Sequence, residues 1–256
     1  MKKTLIIANW KMHFNTHQAS IYLSRLNRIT SIHRNLEVVL APTFLSLGQL
    51  AQEVDPRKFK LAAQNAYFKD EGAYTGEVSF SMLQGIVKYV IIGHSERRIY
   101  FNEDLPMIRD KVAAAYRNKL IPILCIGETK AERLANETKR VIHDQLTTAL
   151  ANLTSEEVRT IVIAYEPIWA ISTFEGDIAK PQEIQKVIDY ISYQISELYG
   201  SRVAQDVQII YGGSVNSSSI TSYLALDNCQ GSLVGGASLN YEEFANIINK
   251  AYLLRK

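Results

Sequence analysis

The most constraining feature of this sequence is a set of eight short apolar runs that recur along its whole length. They occupy residues 4–9, 36–41, 59–64, 89–93, 121–127, 160–166, 207–213 and 231–236. The runs are rich in β-branched and other aliphatic residues and lack a polar residue at every second position, which is typical of strands buried on both faces. They therefore predict the strands of a parallel sheet that is covered on both sides.

Segments with helical periodicity lie between these runs. Residues 181–200 begin with Pro181, end with Gly200 and carry apolar residues at helical spacing. Further helices are predicted over about residues 18–29, 105–118, 131–151 and 241–254. Strand and helix alternate without a linker, so we predict one α/β domain over residues 1–256. A chain of 256 residues with this many βα units fits a closed (β/α)8 barrel better than an open doubly wound sheet.

Charge and composition narrow the classes of partner. The chain has 28 basic and 26 acidic residues and a net charge of +2, so we expect no nucleic-acid and no membrane partner from its overall charge. No run approaches the roughly 18 to 20 apolar residues of a membrane span. The first residues, MKKTLIIANWKMH, are interpreted as a strand, because their apolar run is too short for a signal peptide and lacks a small-residue cleavage site.

Neither the cysteines nor the histidines predict a metal site. Cys125 and Cys229 are too few and too separated for a disulfide framework or a structural zinc site, so we interpret them as buried thiols in a reducing, cytoplasmic compartment. His13 and His17 have the spacing of metal ligands on a helix. The residues between them resemble a helix start, however, which would leave His13 in a loop.

The candidate chemistry lies at the strand ends, where a closed parallel barrel carries its active site. The residues there provide one carboxylate base, one imidazole, one cation and two pairs of glycines. They are Asn9, Lys11, Gln64, Asn65, His94, Ser95, Glu96, Cys125, Glu128, Glu166, Gly212, Gly213, Ser214, Gly235 and Gly236.

Each of these residues also has a purely structural interpretation. Lys11 resembles an ordinary surface lysine, although Asn9 beside it favours a site. His94 could be a structural histidine, but it precedes a helical turn whose backbone N–H groups would favour a neutral imidazole. The neighbouring charges of Glu96, Arg97 and Arg98 are interpreted as ion-pairing groups rather than as chemistry.

The glycine pairs in YGGS and VGGA follow two successive strands. Bare backbone N–H groups at such turns form a cradle for an anion, and phosphate sites are frequent after the last two strands of this barrel. Tight turns that need glycine are the structural alternative. Two pairs at successive strand ends favour a phosphate.

At this point the sequence resembles the triosephosphate isomerase family over nearly all of its length. The matching stretches, in the family's order, are NWKMH, AQNAYFKDEGAYTGEVS, IIGHSERR, CIGETKAER, AYEPIWAI, IYGGSV and LVGGASL. The resemblance implies a TIM barrel that interconverts dihydroxyacetone phosphate and D-glyceraldehyde 3-phosphate through an enediolate, without a cofactor, as in glycolysis and gluconeogenesis. This family is itself a standard example of a carboxylate base combined with a neutral histidine and a closing loop.

The resemblance also implies a role for each residue of the site. Glu166 would be the base, His94 the electrophile and proton shuttle, and Lys11 with Asn9 would stabilise the developing charge. The phosphate would lie against N–H groups of Ser172, Ser214, Gly235 and Gly236. Other residues would orient these groups or close over them, and they are Ser95, Glu96, Cys125, Ile171, Tyr211 and Leu233. The loop AQNAYFKDEGAYTGEVS would insert Thr75 into a partner subunit, which implies a homodimer.

The segment after Glu166 departs from the family pattern. The lid reads ISTFEGDIAKP, with Ser172 and Phe174 where the family usually has glycine, and with about two residues more before the proline. Residues 167–169 keep the first hinge, whereas the second hinge, at residues 178–180, is altered, so the sequence assigns no partner to the contact that Tyr211 usually makes with the closed lid in this family. Glu175 and Asp177 add negative charge near the phosphate unless they face solvent.

Two alternatives remain open on the sequence alone. Another phosphate-binding barrel, such as a synthase of an aromatic amino-acid pathway, would explain the glycine pairs. It would leave the combination of Lys11, His94 and Glu166 unexplained. A barrel kept mainly as a binding protein with weakened catalysis would explain the altered lid.

Overall fold

Eight parallel strands close into a barrel in the computed structural model, which describes residues 3–31, 33–171 and 179–254. Each strand pairs with the next one along the chain, and the last pairs with the first. The predicted closed barrel is therefore confirmed. The strands are β1 Thr4–Asn9, β2 Leu36–Ala41, β3 Phe59–Ala63, β4 Tyr89–Ile92, β5 Ile121–Ile126, β6 Val162–Tyr165, β7 Gln208–Tyr211 and β8 Cys229–Val234.

The strands are buried on both faces, which is why they lack a polar alternation. Alternate residues of each strand enter two separate apolar clusters. In β1, Leu5 and Ile7 belong to the cluster that fills the barrel, while Ile6 and Ala8 pack outwards against the helices. This layering is the expected core of a closed (β/α)8 barrel.

Helices surround the barrel, and four of the five predicted helices are confirmed as single helices. The described helices are α1 Thr16–Ile29, α2 Phe44–Glu53, α3 Ser95–Tyr100, α4 Leu105–Arg117, α5 Lys130–Leu134, α6 Thr138–Ala149, α7 Ser155–Val158, α8 Pro181–Tyr199, α9 Ser201–Asp206, α10 Ile220–Leu224 and α11 Tyr241–Leu254. Asn15 caps α1 in a capping box with Gln18, so His13 precedes the helix as expected. Within the described residues, no helix is long and apolar enough to cross a membrane.

The prediction of one helix over residues 131–151 is wrong, because the structure has the two helices α5 and α6. Asn136 lies between them with a φ of 58°, a left-handed conformation that ends a helix. Asparagine tolerates this conformation better than most residues do. The short helices α2, α7, α9 and α10 are not predicted either, since few of them are long enough to show a clear period.

Candidate active site

A cavity of about 350 Å³ opens at the carboxyl ends of the strands. It brings together the predicted base, imidazole, cation and second glycine pair, which the sequence separates by more than 200 positions. Eleven of the predicted site residues line it, and they are Asn9, Lys11, His94, Glu166, Ile171, Gly212, Gly213, Ser214, Leu233, Gly235 and Gly236. Ser172, Phe174, Glu175 and Asp177 lie outside the described residues.

Glu166 follows β6 and is 1% exposed. Its Oε2 accepts a hydrogen bond from the Ser95 N–H at 3.2 Å. Its Oε1 lies 3.4 Å from His94 Nε2 and accepts no hydrogen bond from the described residues. Burying a carboxylate oxygen without a partner is costly in free energy, so such a group usually has a chemical task. Here one oxygen is held and the other is available to take a proton.

Two glycines make room for Glu166. A Cβ atom at Gly127 would lie 1.8 Å from the Glu166 carbonyl oxygen, and one at Gly212 would lie 2.7 Å from its Cγ. The next residue, Gly213, is needed for a similar reason, because its Cβ would meet the Tyr211 hydroxyl at 2.1 Å. The pair in YGGS is therefore required by packing, whatever it binds.

The second glycine pair is different, because the described residues leave space beside it. A Cβ atom at Gly236 would meet none of the described residues within 4 Å, and one at Gly235 would meet Lys11 Cε first among them, at 3.5 Å. Packing alone does not require glycine at these positions. The pair in VGGA therefore fits an anion cradle better than the pair in YGGS does.

His94 is the N-cap residue of α3. Its Nδ1 accepts a hydrogen bond from the Glu96 N–H at 3.2 Å. A ring nitrogen that accepts a hydrogen bond carries no proton, so this geometry holds a neutral imidazole with its hydrogen on Nε2. The Nε2–H is then the group that lies beside Glu166 in the cavity.

Lys11 is fixed in place at both its backbone and its side chain. Its φ is 51°, and its N–H donates to Asn9 Oδ1 at 3.1 Å. Gln64 donates to its carbonyl oxygen at 2.8 Å. Its ammonium group lies 2.6 Å from Glu96 Oε1, so the predicted ion pairing of Glu96 is confirmed. The cation therefore stands in the cavity at a defined position.

The prediction that Arg98 forms an ion pair is wrong for the described residues. Arg97 pairs with Glu103, as expected. Arg98 instead donates to two backbone carbonyl groups, at 2.7 Å to Gly93 and at 2.9 Å to Cys125. Gly93 follows β4 and Cys125 lies near the end of β5, so the guanidinium group joins the strand that leads to His94 to its neighbour in the barrel. Burial raises the pKa of the Cys125 thiol, and the charge of Glu166 raises it further.

Ser214 is placed at the cavity, but its donors are occupied. Its N–H and its hydroxyl both donate to the Ala170 carbonyl oxygen, at 3.1 Å and 2.8 Å. Contact between this N–H and a phosphate requires that the bond to Ala170 be released. The turn after β7 and the turn after β6 are therefore coupled.

Glu128 anchors the residues that follow the base, a role that sequence reasoning missed. Its carboxylate accepts hydrogen bonds from Trp169 Nε1 at 2.9 Å and from the Tyr165 hydroxyl at 3.1 Å. Its carbonyl oxygen accepts the Ile168 N–H at 3.1 Å. Burial raises the pKa of the Glu128 carboxyl group. The sequence feature that could have indicated this role is the position of Glu128 directly after the apolar run of β5.

Tyr223 was also missed, and it changes the expectation for Tyr211. The Tyr211 hydroxyl is buried without a hydrogen-bond partner among the described residues. Its ring stacks on Tyr223 with 4.2 Å between the centroids. The Tyr223 hydroxyl donates to the Ala179 carbonyl oxygen at 3.0 Å, just after the residues that the structure does not describe. No sequence pattern indicated this contact.

The chain is similar to known proteins over nearly its whole length. A family model described as triosephosphate isomerase matches residues 4–251. A protein of Alkaliphilus oremlandii with that name is 45% identical over 252 residues, which are 97% of this chain and 100% of that protein. One of Clostridium botulinum, strain Langeland, is 42% identical over 250 residues, 97% of this chain and 100% of that protein. One of Dictyoglomus thermophilum is 42% identical over 249 residues, 97% of this chain and 99% of that protein.

Proposed function

The chain belongs to the triosephosphate isomerase family, and on this premise we propose that Glu166, His94 and Lys11 carry out the isomerisation of triose phosphates in its cavity. The substrates are dihydroxyacetone phosphate and D-glyceraldehyde 3-phosphate. The observation that carries the assignment is the pair formed by Glu166 and His94, whose free oxygen and Nε2 lie 3.4 Å apart at the wall of the cavity.

Glu166 removes a proton from the carbon next to the carbonyl group and returns it to the neighbouring carbon. Isomerisation moves one hydrogen between adjacent carbons, so one base is sufficient if it reaches both of them. Glu166 lines the cavity and its Oε1 accepts no hydrogen bond from the described residues, which supports this role. The Ser95 N–H holds the other oxygen at 3.2 Å.

His94 moves the second proton, the one that changes oxygens. When Glu166 takes the carbon-bound proton, the carbonyl oxygen gains negative charge, and the His94 Nε2–H donates to it. The same nitrogen then accepts the hydroxyl proton of the neighbouring oxygen, so that the ring ends in its starting state. The hydrogen bond from the Glu96 N–H to Nδ1 supports this cycle, because it places the ring's proton on Nε2.

Lys11 and Asn9 stabilise the charge that develops on the two oxygens. A cation held in a largely buried site lowers the energy of an enediolate more than it would in water. Lys11 is already fixed by Glu96 and Gln64 before substrate enters, so little reorganisation is needed.

The phosphate group binds at the turn of Gly235 and Gly236, with further contacts from the backbone of Ser214 and Ser172. The space that the described residues leave beside Gly235 and Gly236, and the nearby Lys11 Cε, support this placement. Ser172 lies outside the described residues, and its contact rests on the family resemblance alone.

We propose a homodimer in which Thr75 enters the partner subunit. Large apolar side chains are exposed in the segments that follow β1, β2, β3 and β4, which are neighbouring strands and so place these segments on one side of the barrel. Thr75 belongs to the same side and is exposed. The exposed side chains are Met12, Phe44, Leu45, Tyr74, Met82, Tyr100 and Phe101. Such a surface is typical of a protein interface.

Two broader assignments accompany this function. We propose that residues 1–256 form one domain, since the strands and helices of the whole barrel are needed to place the site. We also propose a cytoplasmic location, in keeping with two buried free thiols at Cys125 and Cys229.

Substitution of the base tests this function. In an assay that couples production of dihydroxyacetone phosphate to a second enzyme, Glu166→Gln should lower turnover by several orders of magnitude. Glutamine keeps the shape of the side chain but cannot accept the proton. Inorganic phosphate should still inhibit or bind the variant, because the glycine turn is unchanged. Unchanged turnover in Glu166→Gln would show that another group is the base.

A further inference from the structure

A buried hydrogen bond joins α1 to the turn that follows β8. The Tyr22 hydroxyl donates to the Ser238 carbonyl oxygen at 2.6 Å, across 216 positions of sequence. We propose that Tyr22 is a positioning residue for phosphate recognition, which acts through Ser238 on the Gly235–Gly236 turn. This inference rests on the proposed phosphate site at that turn.

Ser238 connects Tyr22 to the glycines. Ser238 is 0% exposed and belongs to the 3-10 turn Gly236–Leu239. Its N–H and its hydroxyl both donate to the Gly235 carbonyl oxygen, at 2.8 Å and 2.7 Å. Ser238 therefore accepts the hydrogen bond from α1 and also bonds the first glycine of the turn, Gly235. The direction of the peptide groups at Gly235 and Gly236 depends on this arrangement.

The same serine lies close to the end of β1. Its hydroxyl oxygen is 3.5 Å from the Asn9 carbonyl oxygen. Asn9 in turn accepts the Lys11 N–H, and Lys11 Cε is the atom nearest to a Cβ built at Gly235. Ser238 therefore places the glycine turn beside the end of β1, whereas Lys11 is held by its own contacts with Asn9, Gln64 and Glu96.

Packing does not account for the Tyr22 hydroxyl. The Tyr22 ring contacts Trp10, Phe14 and Tyr241, with centroids 4.7, 5.5 and 6.3 Å away, and a phenylalanine would fill the same space. Burial raises the pKa of the Tyr22 phenol, so the group remains a donor at physiological pH. Burying a hydroxyl costs free energy unless it is bonded. The bond that it makes fixes a carbonyl of the turn, which is the expected task of such a group.

Phosphate recognition is sensitive to this constraint. Backbone N–H groups bind an oxyanion well when they point at it within a narrow range of distance and angle. Without the Tyr22 bond, the Ser238 carbonyl loses its buried partner and the turn can tilt. A tilted turn binds the phosphate less tightly. It leaves Glu166 and His94 in place, because these residues follow other strands.

The test compares Tyr22→Phe with Tyr241→Phe as a matched control. The control removes a hydroxyl from the same aromatic cluster, but that hydroxyl bonds Glu242 at the surface. In Tyr22→Phe, the inhibition constant of inorganic phosphate and the KM for D-glyceraldehyde 3-phosphate should rise about threefold to tenfold, the effect of one lost hydrogen bond. The slow reaction of D-glyceraldehyde, which lacks the phosphate, should stay within about twofold of wild type. Tyr241→Phe should match wild type with all three compounds.

Two outcomes would overturn the proposal. One is equal inhibition of wild type and Tyr22→Phe by inorganic phosphate, and the other is an equal loss with both substrates, which indicates general structural damage. If Tyr22→Phe does not fold, Ser238→Ala tests the second link of the proposal, from Ser238 to Gly235, because it removes the hydroxyl bond to Gly235 and leaves the Tyr22 bond to the Ser238 carbonyl in place. This variant should be inhibited less strongly by inorganic phosphate, and its rate with D-glyceraldehyde should not change. Any other pattern contradicts the proposal.

Wild type separates this inference from the proposed function. If inorganic phosphate does not compete with substrate in wild type, the phosphate site itself is wrong and the role of Tyr22 falls with it. If phosphate competes in wild type and equally in Tyr22→Phe, the site stands and the role of Tyr22 alone is wrong.

Discussion

At the scale of single residues, the groups of the cavity are held by contacts from distant parts of the chain. Glu96 carries much of this organisation, because its backbone N–H sets the state of the His94 ring and its carboxylate pairs with Lys11. Ser95, its neighbour, holds one oxygen of Glu166. Two successive residues after His94 therefore orient the base, the imidazole and the cation together. A small displacement of any of them is expected to cost far more activity than stability.

Gly212 offers a test of this sensitivity. In Gly212→Ala, the new Cβ would lie 2.7 Å from the Glu166 Cγ, so the carboxylate must move. We expect kcat/KM to fall by about 100-fold and the free energy of unfolding to fall by about 1–3 kcal/mol. Steady-state kinetics and chemical denaturation measure the two effects.

Gly48→Ala is the control for that substitution. Gly48 lies inside α2, and a Cβ there meets no atom of the described part of the chain within 4 Å. Alanine favours a helix over glycine by about 0.5–1 kcal/mol, so stability should rise slightly and kcat/KM should not change. Full activity in Gly212→Ala would mean that the position of Glu166 tolerates a large shift.

The residues that act at the strand ends could be predicted from the sequence. The residues that hold them in position could not. Lys11, His94 and Glu166 could be brought together because the ends of parallel strands meet at one face of a barrel. The acceptor of Arg98 could not be predicted, since a guanidinium group bonds carbonyls and carboxylates alike. The bond between Tyr22 and Ser238 spans 216 positions and follows no periodic pattern.

At the scale of elements, β2 and β4 are joined at the end of the barrel opposite the site. Glu37 near the start of β2 accepts hydrogen bonds from Lys88 Nζ at 2.7 Å and from the Tyr89 hydroxyl at 2.5 Å. Burial opposes ionisation of Glu37, but these two bonds and the charge of Lys88 outweigh it and hold the pKa below its ordinary value of 4.5. The ionised carboxylate therefore stabilises the folded barrel.

The pH dependence of Glu37→Gln tests this contribution. Because the folded pKa is lowered, the stabilisation is fully present above pH 4.5 and is lost as the pH falls through the folded pKa. The variant should be less stable than wild type by about 1–3 kcal/mol at pH 7, and this difference should shrink as the pH falls below 4.5. Urea denaturation at several pH values measures it.

An exposed acid provides the comparison for Glu37. Glu197 in α8 is exposed, and Glu197→Gln should leave stability within about 0.5 kcal/mol of wild type at every pH. A difference between Glu37→Gln and wild type that stays constant down to low pH would contradict a role for the ionised carboxylate.

The order of the elements was predictable, and their limits were less so. Apolar character continues past the paired residues, so the run over residues 160–166 becomes the shorter strand β6, Val162–Tyr165. The end of α5 depends on one left-handed residue, Asn136, which no period reveals. Periodicity reports burial, whereas the limits of an element are set by local backbone conformation.

At the scale of the whole molecule, membership of the triosephosphate isomerase family removes the alternative of an aromatic-pathway synthase. It also agrees with the full set of Lys11, His94 and Glu166 at one cavity. The idea of a barrel kept mainly for binding rested on the altered lid. Substrate turnover by wild type decides that question.

The proposed dimer is a further property of the whole molecule. We expect wild type to sediment as a dimer. The Thr75→Arg variant should dissociate into monomers at a higher protein concentration than wild type does, because a bulky charge at a buried contact costs several kcal/mol. Ile29→Arg is the control, since Ile29 is exposed at the last residue of α1, towards the opposite end of the barrel. Equal dissociation constants for wild type and Thr75→Arg would exclude Thr75 from the interface.

One carboxylate, Glu166, is proposed to carry the hydrogen between the two carbons as a proton, and isomerisation in D2O tests this most directly. A proton held on a carboxyl group exchanges with solvent, so part of the product should carry one deuterium at the carbon that received the hydrogen. Mass spectrometry or NMR of D-glyceraldehyde 3-phosphate formed from dihydroxyacetone phosphate measures it. Product formed at the full rate without any deuterium would contradict transfer of the hydrogen through a base that exchanges its proton with solvent, as is proposed here for Glu166.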